Sequence, residues 1–399
     1  MPYSSQVGAP TKAISRREVQ CTILRGGTSK GIYILDRELP ADPVERDRIL
    51  LALFGSPDRR QIDGLGGADP LTSKLAMVGP SHRPDADIEY TFGQVAIDEA
   101  KIFYHSMCGN ITSGVGPFAI NMGLVPAVEP VTHIRMFNRN TQRIIRAEVP
   151  VLDGRAAFDG DFAIAGVPGT GAKINVDFAE SAGALTGALL PTGHARDELD
   201  IPGVGAVTVS VVDCAACQIY VRAADLGLKG TERPQDVDSD PELLKKLEAI
   251  RSYVTYFIGL TDTPDAASTV RRNTPHLSIV SPAQDYVNHL TDETVSAADC
   301  DFLARMMFMQ IMHKTYAGTG SICVSVASRI PGTLVYEAVG EERRSNAVVR
   351  FGHPAGIIQV EAEVEKLEGG YRVKRAAIGR TARMIMQGTA FVRESVITK

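Results

Sequence analysis

Short runs of β-branched and apolar residues recur along the chain, separated by Gly, Pro, Asp and Asn positions that favour turns. This spacing predicts a protein built mostly of strands, with few long helices. Strands are predicted over residues 19–24, 88–95, 101–104, 133–137, 143–149, 207–221, 277–280, 357–364 and 371–377.

Helices are predicted where apolar residues recur three and four positions apart. Residues 43–54, 241–257 and 297–313 show this spacing. Two other segments, 111–122 and 321–328, are rich in small and apolar residues on every face, which is typical of helices buried inside a larger unit.

The two buried segments resemble each other. When Gly109 is aligned with Gly318, both segments are entered through a glycine-containing turn and both end at a glycine. This faint internal repeat predicts two copies of one unit. Within the repeat Cys108 falls on Ala317, so one copy carries a thiol that the other lacks.

Composition and charge restrict the class of protein. The chain has 399 residues, of which 44% are hydrophobic, and this length favours two domains over one. The net charge is -5, with lysine and arginine spread along the chain, which argues against nucleic acid as a partner. The first twenty residues are polar and no apolar run is long enough to cross a bilayer, so we expect a cytoplasmic protein without a membrane span.

Six cysteines in so long a chain do not indicate a disulfide scaffold, and we expect free thiols. Cys214 and Cys217 have the spacing of a redox motif, but apolar residues precede and follow them. We interpret this motif as the middle of a buried strand. With no second such motif and no nearby pair of histidines, a zinc site is not supported.

One amine and one thiol lie in glycine-rich turns: Lys74 closes the segment 63–74 and Cys108 opens the segment 108–116. A lysine flanked by apolar residues loses part of the solvation of its charged form, which favours the neutral amine that a general base needs. Cys108 precedes a helix start, where unpaired N–H groups favour a thiolate and hence a proton carrier. The alternative for Cys108 is a small core residue at a tight turn.

The glycine-containing turns that precede the two buried helices could also bind an anion. Two buried helices whose first turns face one cleft would bind a substrate with several carboxylates, and glycine lets the backbone approach the ligand closely. Two further glycine-rich segments, 25–31 and 64–69, lack the spacing of nucleotide-binding loops, so neither supports ATP or NAD. The residues whose backbone N–H groups would bind such an anion are Gly109, Asn110, Gly318, Thr319 and Gly320.

Several motifs together resemble those of the PrpF family of isomerases. They are Leu-Arg-Gly-Gly-Thr-Ser-Lys-Gly (24–31), Gln-Ile-Asp-Gly-Leu-Gly-Gly (61–67), Leu-Thr-Ser-Lys (71–74), Cys-Gly-Asn (108–110), Gly-Pro-Phe-Ala (116–119), Leu-Pro-Thr-Gly (190–193) and Arg-Phe-Gly-His-Pro-Ala-Gly (350–356). The resemblance implies an α+β, diaminopimelate-epimerase-like fold with two similar domains, each a β-barrel-like sheet around a central helix. The domains would span residues 1–185 and 186–379, with residues 380–399 returning to the first.

The family includes 2-methylaconitate isomerase, 3-methylitaconate Δ-isomerase, aconitate Δ-isomerase and 4-oxalomesaconate tautomerase. The resemblance therefore implies an isomerase that moves a proton and a C=C bond in a small unsaturated di- or tricarboxylate, with no metal or organic cofactor. The motifs conflict on which acid is used, so the substrate is predicted only as a class. A homodimer is compatible with this interpretation.

Carried onto this chain, the resemblance makes Lys74 the base and Cys108 an alternative acid or an electrostatic helper. Related epimerases use two thiols, one per domain, and Ala317 at the second position disfavours a racemase. Two alternatives remain: an amino-acid racemase or epimerase of the same fold, and a non-catalytic carboxylate-binding protein. The predicted substrate-binding residues are Thr28, Ser29, Gly66, Gly67, Gly109, Asn110, Thr192, His276, Gly318, Thr319 and Gly320.

Overall fold

The computed structural model describes residues 16–104, 107–164, 166–272 and 274–397. Its helices are α1 (Pro43–Phe54), α2 (Gly109–Asn121), α3 (Pro234–Asp238), α4 (Pro241–Phe257), α5 (Pro264–Val270), α6 (Gly318–Ala327), α7 (Leu334–Ala338) and α8 (Glu394–Ile397). Its strands are β1 (Arg16–Gly26), β2 (Ser29–Leu35), β3 (Lys74–Pro80), β4 (Ile88–Val95), β5 (Ile102–Phe103), β6 (Val131–Asn138), β7 (Arg143–Leu152), β8 (Arg155–Ala156), β9 (Ile174–Asp177), β10 (Asp197–Ile201), β11 (Gly205–Cys214), β12 (Ala216–Arg222), β13 (His276–Pro282), β14 (Tyr286–Val287), β15 (Thr294–Val295), β16 (Phe302–Phe308), β17 (Ile311–Met312), β18 (Val348–His353), β19 (Gly356–Leu367), β20 (Gly370–Arg380) and β21 (Ala382–Arg393).

The long strands form one continuous sheet. Hydrogen-bonded neighbours follow the order β21-β1-β2-β3-β4-β6-β7-β9-β20-β19-β18-β16-β13-β12-β11-β10. The last long strand, β21, pairs along its whole length with β1, where the resemblance placed the C-terminal return. The predicted domain boundary at residues 185 and 186 falls in the connection between β9 and β10.

The pairing pattern confirms the internal repeat. In the first half β1–β2 is antiparallel, β2–β3 parallel, β3–β4 antiparallel and β4–β6 parallel. The strands β11, β12, β13, β16 and β18 repeat this pattern in the second half. Helix α2 precedes β6 and α6 precedes β18, so these two helices are equivalent.

Helices α2 and α6 lie within the main hydrophobic core, whereas α1 and α4 cover the other face of the sheet. Alternation along β3 illustrates the layers: Ala76 belongs to the core around α2 and Leu75 to the core under α1. Small residues let the sheet approach α2 closely, because a Cβ on Gly114 would lie 2.4 Å from the Tyr33 hydroxyl. Phe118 of α2 is 1% exposed, and burial of such a side chain contributes roughly 1.5–3 kcal/mol. This α+β architecture is the predicted fold class.

The predicted helix over residues 297–313 is wrong. A short 3-10 turn covers Ala297–Asp299, and β16 and β17 follow it. Residues 302–307 are buried on both faces of the sheet, since Ala304 packs in the core around α6 and Met307 under α4. A strand with two buried faces lacks polar alternation and is easily mistaken for a buried helix.

The predicted strand over residues 207–221 is in fact a hairpin. Ala215 has a φ of 60° and forms the turn between β11 and β12. Cys214 and Cys217 therefore lie on different strands beside a turn and not in the middle of one strand. Both are free, and burial raises the pKa of each thiol well above its usual value. Among the helices of the described ranges, none is both long and apolar enough to span a membrane.

Candidate active site

Lys74 is the first residue of β3 and is 8% exposed. Its Nζ donates a hydrogen bond of 2.5 Å to Oε1 of Gln94 and lies 5.4 Å from the ring centre of Phe92. Gln94 is the direct cross-strand partner of Lys74 on β4. The amine is thus held by a neutral amide beside an aromatic ring.

Strand register places Lys74 on the face of the sheet that packs against α2. Tyr90, four residues before Gln94 and on the same face of β4, makes a hydrogen bond of 2.8 Å to the Thr112 hydroxyl of α2. On the other side Gly31 pairs with Lys74, and a Cβ at Gly31 would lie 2.8 Å from Cδ1 of Ile111. Lys74 therefore lies beside the first turn of α2.

The loop that leads into Lys74 is organised around the side chain of Gln61. Its Oε1 accepts hydrogen bonds from the Ala68 N–H at 2.8 Å and the Ser73 hydroxyl at 2.7 Å. A Cβ on Gly66 would lie 2.2 Å from Oε1 of Gln61, and one on Gly67 would lie 2.2 Å from the Thr72 hydroxyl. Glycine is required at both positions by the packing of the loop itself.

Cys108 is the N-cap residue of α2 and is partly exposed. Its main-chain oxygen accepts hydrogen bonds from both the N–H and the hydroxyl of Thr112, each at 2.9 Å. Its side chain accepts no hydrogen bond from α2, and the Ala317 side chain cannot cap α6. The first N–H groups of both helices are therefore not capped by the residue that precedes them.

The β1–β2 turn, predicted to contact carboxylates, packs against the start of α2. The Thr28 hydroxyl accepts a hydrogen bond of 2.8 Å from Nδ2 of Asn110. Gly27 has a φ of 51°, and a Cβ there would lie 2.2 Å from Oδ1 of Asn110. Ser29 is 2% exposed and its hydroxyl has no hydrogen-bond partner within the described structure.

The starts of α2 and α6 lie close together. A Cβ on Gly109 of α2 would lie 3.9 Å from the Thr319 methyl group of α6 and 3.6 Å from Cζ of Phe178. A Cβ on Gly318 of α6 would lie 3.4 Å from Nη2 of Arg380. The structure thus places the start of α2, which includes Cys108 and Asn110, close to Gly318 and Thr319 at the start of α6.

The first turn of α6 rests on buried polar groups. Gly320 lies against Gln218, since a Cβ there would be 2.5 Å from Nε2 of that residue. Oε1 of Gln218 accepts hydrogen bonds from the hydroxyls of Ser278 at 3.0 Å and Tyr316 at 2.9 Å. Its Nε2 is buried without a partner among the described residues.

His276 occupies in the second half the position that Lys74 occupies in the first. It begins β13 and pairs with Gln218 in parallel register, just as Lys74 begins β3 and pairs with Gly31. Its ring packs edge-on against Phe308 at 5.6 Å. His276 shares the inner face of the sheet with Ser278, two residues further along β13.

Thr192 lies outside this group. Its hydroxyl accepts a hydrogen bond of 3.2 Å from the His194 N–H and so closes its own turn. Ala195, three residues later, approaches Gly332, which follows the C-terminal end of α6. Thr192 is thus associated with the end of α6 opposite to Gly318.

Arg380 was not predicted from the sequence, although its guanidinium approaches Gly318 at the start of α6. Burial lowers the pKa of its guanidinium to about 10, and the negative charge of a Cys108 thiolate acts in the opposite direction. Arg380 is therefore within electrostatic range of Cys108. Its sequence signal was weak: it follows the predicted strand 371–377 and resembles many other surface arginines.

The chain is similar to several known isomerases. The chain is 47% identical to 3-methylitaconate isomerase of Eubacterium barkeri, covering 94% of this chain and 98% of that protein. It is 39% identical to (4E)-oxalomesaconate Delta-isomerase of Novosphingobium sp. (strain KA1), covering 93% and 97% of the two chains. A crystal structure of methylitaconate-delta-isomerase superimposes with a TM-score of 0.90 at 46% identity, covering 96% of this chain and 97% of that one. Residues 16–393 match the family described as PrpF protein, and the chain belongs to that family.

Proposed function

We propose that this protein is a cofactor-independent isomerase that shifts a C=C bond in a small unsaturated di- or tricarboxylate. The observation that carries the proposal is the placement of Lys74. A buried amine, hydrogen-bonded to the neutral amide of Gln94, lies beside the first turn of α2. No carboxylate of the described chain pairs with it, so loss of its proton leaves no buried negative charge unpaired.

The reaction is a 1,3-transfer of a proton. Lys74, as neutral amine, removes a proton from the carbon next to the unsaturated carboxylate unit, and the C–H electron pair becomes the new C=C bond. The electrons of the old double bond move onto the substrate carboxylate as enolate-like charge. N–H groups at the start of α2 stabilise this charge, and those at the start of α6 are available to a second carboxylate. Return of the proton to the far carbon, from Lys74 or from Cys108, completes the isomerisation.

The substrate is proposed as a class. Relatives named for methylitaconate and oxalomesaconate are 47% and 39% identical to this chain, and both acids are unsaturated and carry more than one carboxylate. Two helix starts that approach each other at Gly109 and Thr319 suit a molecule with more than one carboxylate. Methylitaconate, methylaconitate, aconitate and oxalomesaconate are therefore the acids to test.

A two-thiol racemase is the first alternative. It would need a second thiol at the start of α6, where this chain has Ala317. Cys323, the nearest cysteine on that helix, is fully buried and donates to the Val212 carbonyl at 3.2 Å. Burial raises the pKa of its thiol to about 12, which does not suit a proton carrier at neutral pH. The second alternative is a carboxylate-binding protein without catalysis.

Proton exchange in D2O distinguishes these functions. The protein is incubated with each unsaturated acid, and the vinyl and methylene signals are followed by NMR. We expect a new double-bond isomer with deuterium at the far carbon, and its loss in Lys74→Met. Lys101→Met is the matched control, because Lys101 is an exposed lysine above a phenylalanine ring. Absence of isomerisation and exchange with all four acids would contradict the proposal.

A further inference from the structure

The two halves of the molecule place different groups over equivalent helix starts. Strands β9 and β20 pair antiparallel, with Val176 opposite Ile378. A local two-fold axis through this pair exchanges Phe178 with Arg380. Phe178 lies over Gly109 at the start of α2, and Arg380 lies over Gly318 at the start of α6.

The two halves also differ in the side chains that lie near these helix starts. The first half has an amine and a thiol, Lys74 and Cys108. The second half has Ala317 in place of the thiol and, opposite the start of its parallel strand, Gln218 in place of Gly31. The start of α2 thus has an amine and a thiol beside it, whereas the second half has the imidazole of His276 at the position of Lys74, with the Gln218 amide and the Arg380 guanidinium near the start of α6.

Of the donors near α6, Gln218 has a buried N–H group with no acceptor within the described chain, and Arg380 has no counter-charge there. The amide nitrogen of Gln218 is fully buried against Gly320 and has no acceptor. The guanidinium of Arg380 donates to the main-chain oxygen of its neighbour Gly379 at 3.0 Å, and no described Asp or Glu pairs with it. A partly desolvated guanidinium without a counter-charge is costly unless an anion binds it.

We propose that Arg380, together with the first N–H groups of α6, binds the substrate carboxylate that is remote from the reacting carbon. The inference rests on the proposed function and fixes the orientation of the substrate within it. One carboxylate lies at α6, and the carbon that loses its proton lies at α2, beside Lys74 and Cys108. Arg380 then selects substrates that carry a carboxylate at the end remote from the reacting carbon, because guanidinium binds carboxylate in a fixed bidentate geometry.

Steady-state kinetics test this assignment. We expect Arg380→Gln to raise KM by about 10- to 100-fold, the range for loss of a charge-assisted hydrogen bond, with kcat changed by less than about 5-fold. Arg380→Lys keeps the positive charge but loses the paired N–H donors of the guanidinium. We expect its KM to lie between those of wild type and Arg380→Gln. Arg372→Gln, on the same strand but exposed and paired with Glu365, is the matched control and should behave as wild type.

Calorimetry with propane-1,2,3-tricarboxylate, which cannot isomerise, tests the same site without turnover. Its Kd should rise in Arg380→Gln and stay unchanged in Arg372→Gln. An unchanged Kd and KM in a folded Arg380→Gln protein would overturn the inference, as would a fall in kcat at constant KM. If Arg380→Gln does not fold, Arg380→Lys decides the question, since an unchanged Kd and KM there would also overturn it. Failure of the wild type to isomerise any acid contradicts the proposed function alone, because tricarboxylate binding still reports on Arg380.

Discussion

The amine of Lys74 donates its hydrogen bond to a neutral partner, Oε1 of Gln94, at 2.5 Å. That partner is itself fixed, because Nε2 of Gln94 donates to the main-chain oxygens of Pro70 and Ser73, each at 3.1 Å. The orientation of the amide is thus set by the loop that precedes β3. A neutral acceptor holds the amine in place without stabilising its charged form as a carboxylate would.

Replacing that amide by a carboxylate should slow the reaction. In Gln94→Glu an ion pair would keep the Lys74 amine protonated to higher pH, so we expect kcat at pH 7 to fall by about 10- to 100-fold. The activity should recover partly as the pH is raised. A pH–rate profile measures this, with the exposed Gln235→Glu as control. Equal activity of Gln94→Glu and wild type at pH 7 would contradict the role of Lys74 as neutral base.

The thiol and the amine should differ in importance. If Lys74 both removes and returns the proton, Cys108→Ala should lower kcat by no more than about 10-fold, whereas Lys74→Met should lower it by at least about 1000-fold. Both values come from initial rates of isomerisation with the best substrate. Loss of activity in Cys108→Ala as complete as in Lys74→Met would instead assign the return of the proton to the thiol.

A side chain at Gly27, in the turn before Ser29, should destabilise the protein. This glycine has a φ of 51°, and a Cβ would also meet the Asn110 side chain at 2.2 Å. Gly154 has a φ of 71° with nothing within 4 Å of a Cβ, so Gly154→Ala isolates the backbone cost of roughly 1–2 kcal/mol. We expect Gly27→Ala to lower the free energy of unfolding by about 1–3 kcal/mol more, measured in urea. Equal losses in the two variants would show that Asn110 moves aside freely.

Acid should destabilise the protein through a buried histidine. Burial lowers the pKa of His353 to about 3, and the positive charges of Arg305, His313, His289 and Arg380 add to this effect. Between pH 3 and about 6.5 the unfolded chain binds a proton at this residue that the folded chain does not, so stability falls as the pH falls through this window. Below pH 6, His353 alone makes the free energy of unfolding fall by up to about 1.4 kcal/mol for each unit by which the pH falls.

A substitution at His353 separates this contribution from others. Nδ1 of His353 accepts a hydrogen bond of 3.2 Å from the Ala355 N–H, and the Oδ1 of asparagine can replace that acceptor. The free energy of unfolding of His353→Asn should therefore depend less on pH between 5 and 6 than that of wild type. The exposed His82→Asn should keep the wild-type slope. A wild-type slope in His353→Asn would show that this histidine is protonated in the folded protein.

Local sequence signals predict those parts of the candidate site that are formed by residues close together in the chain. The glycine-rich turns and the all-apolar segments placed Cys108 and Thr319 at helix starts, and the structure brings those starts together. Arg380 and Gln218 could not be found in this way. Their positions depend on the pairing of β20 with β9 and of β12 with β13, between residues distant in sequence, and no local pattern encodes such pairings.

Dependence on tertiary packing also explains why two of the predicted secondary-structure elements were wrong. The strand over Phe302–Phe308 has no polar face, so its composition does not distinguish it from a helix buried in the core. The turn at Ala215 has a left-handed backbone at an alanine, without the glycine or asparagine that usually marks such a position. In both cases tertiary packing determines the conformation against the local preference.

The pairing of β21 with β1 sets the order in which the chain can fold. The Arg25 side chain donates to the main-chain oxygen of Thr381, 356 residues away, and the Gly27 N–H donates to the same oxygen. During synthesis β1 leaves the ribosome early, but the strand that covers one of its edges, β21, is made only near the end of the chain. That edge therefore stays unpaired until almost the whole chain has been synthesised. So high a contact order predicts slow completion of folding, with the turn that holds Thr28 and Ser29 among the last parts to become ordered. Truncation before β21 should therefore leave a chain that aggregates through the exposed edge of β1.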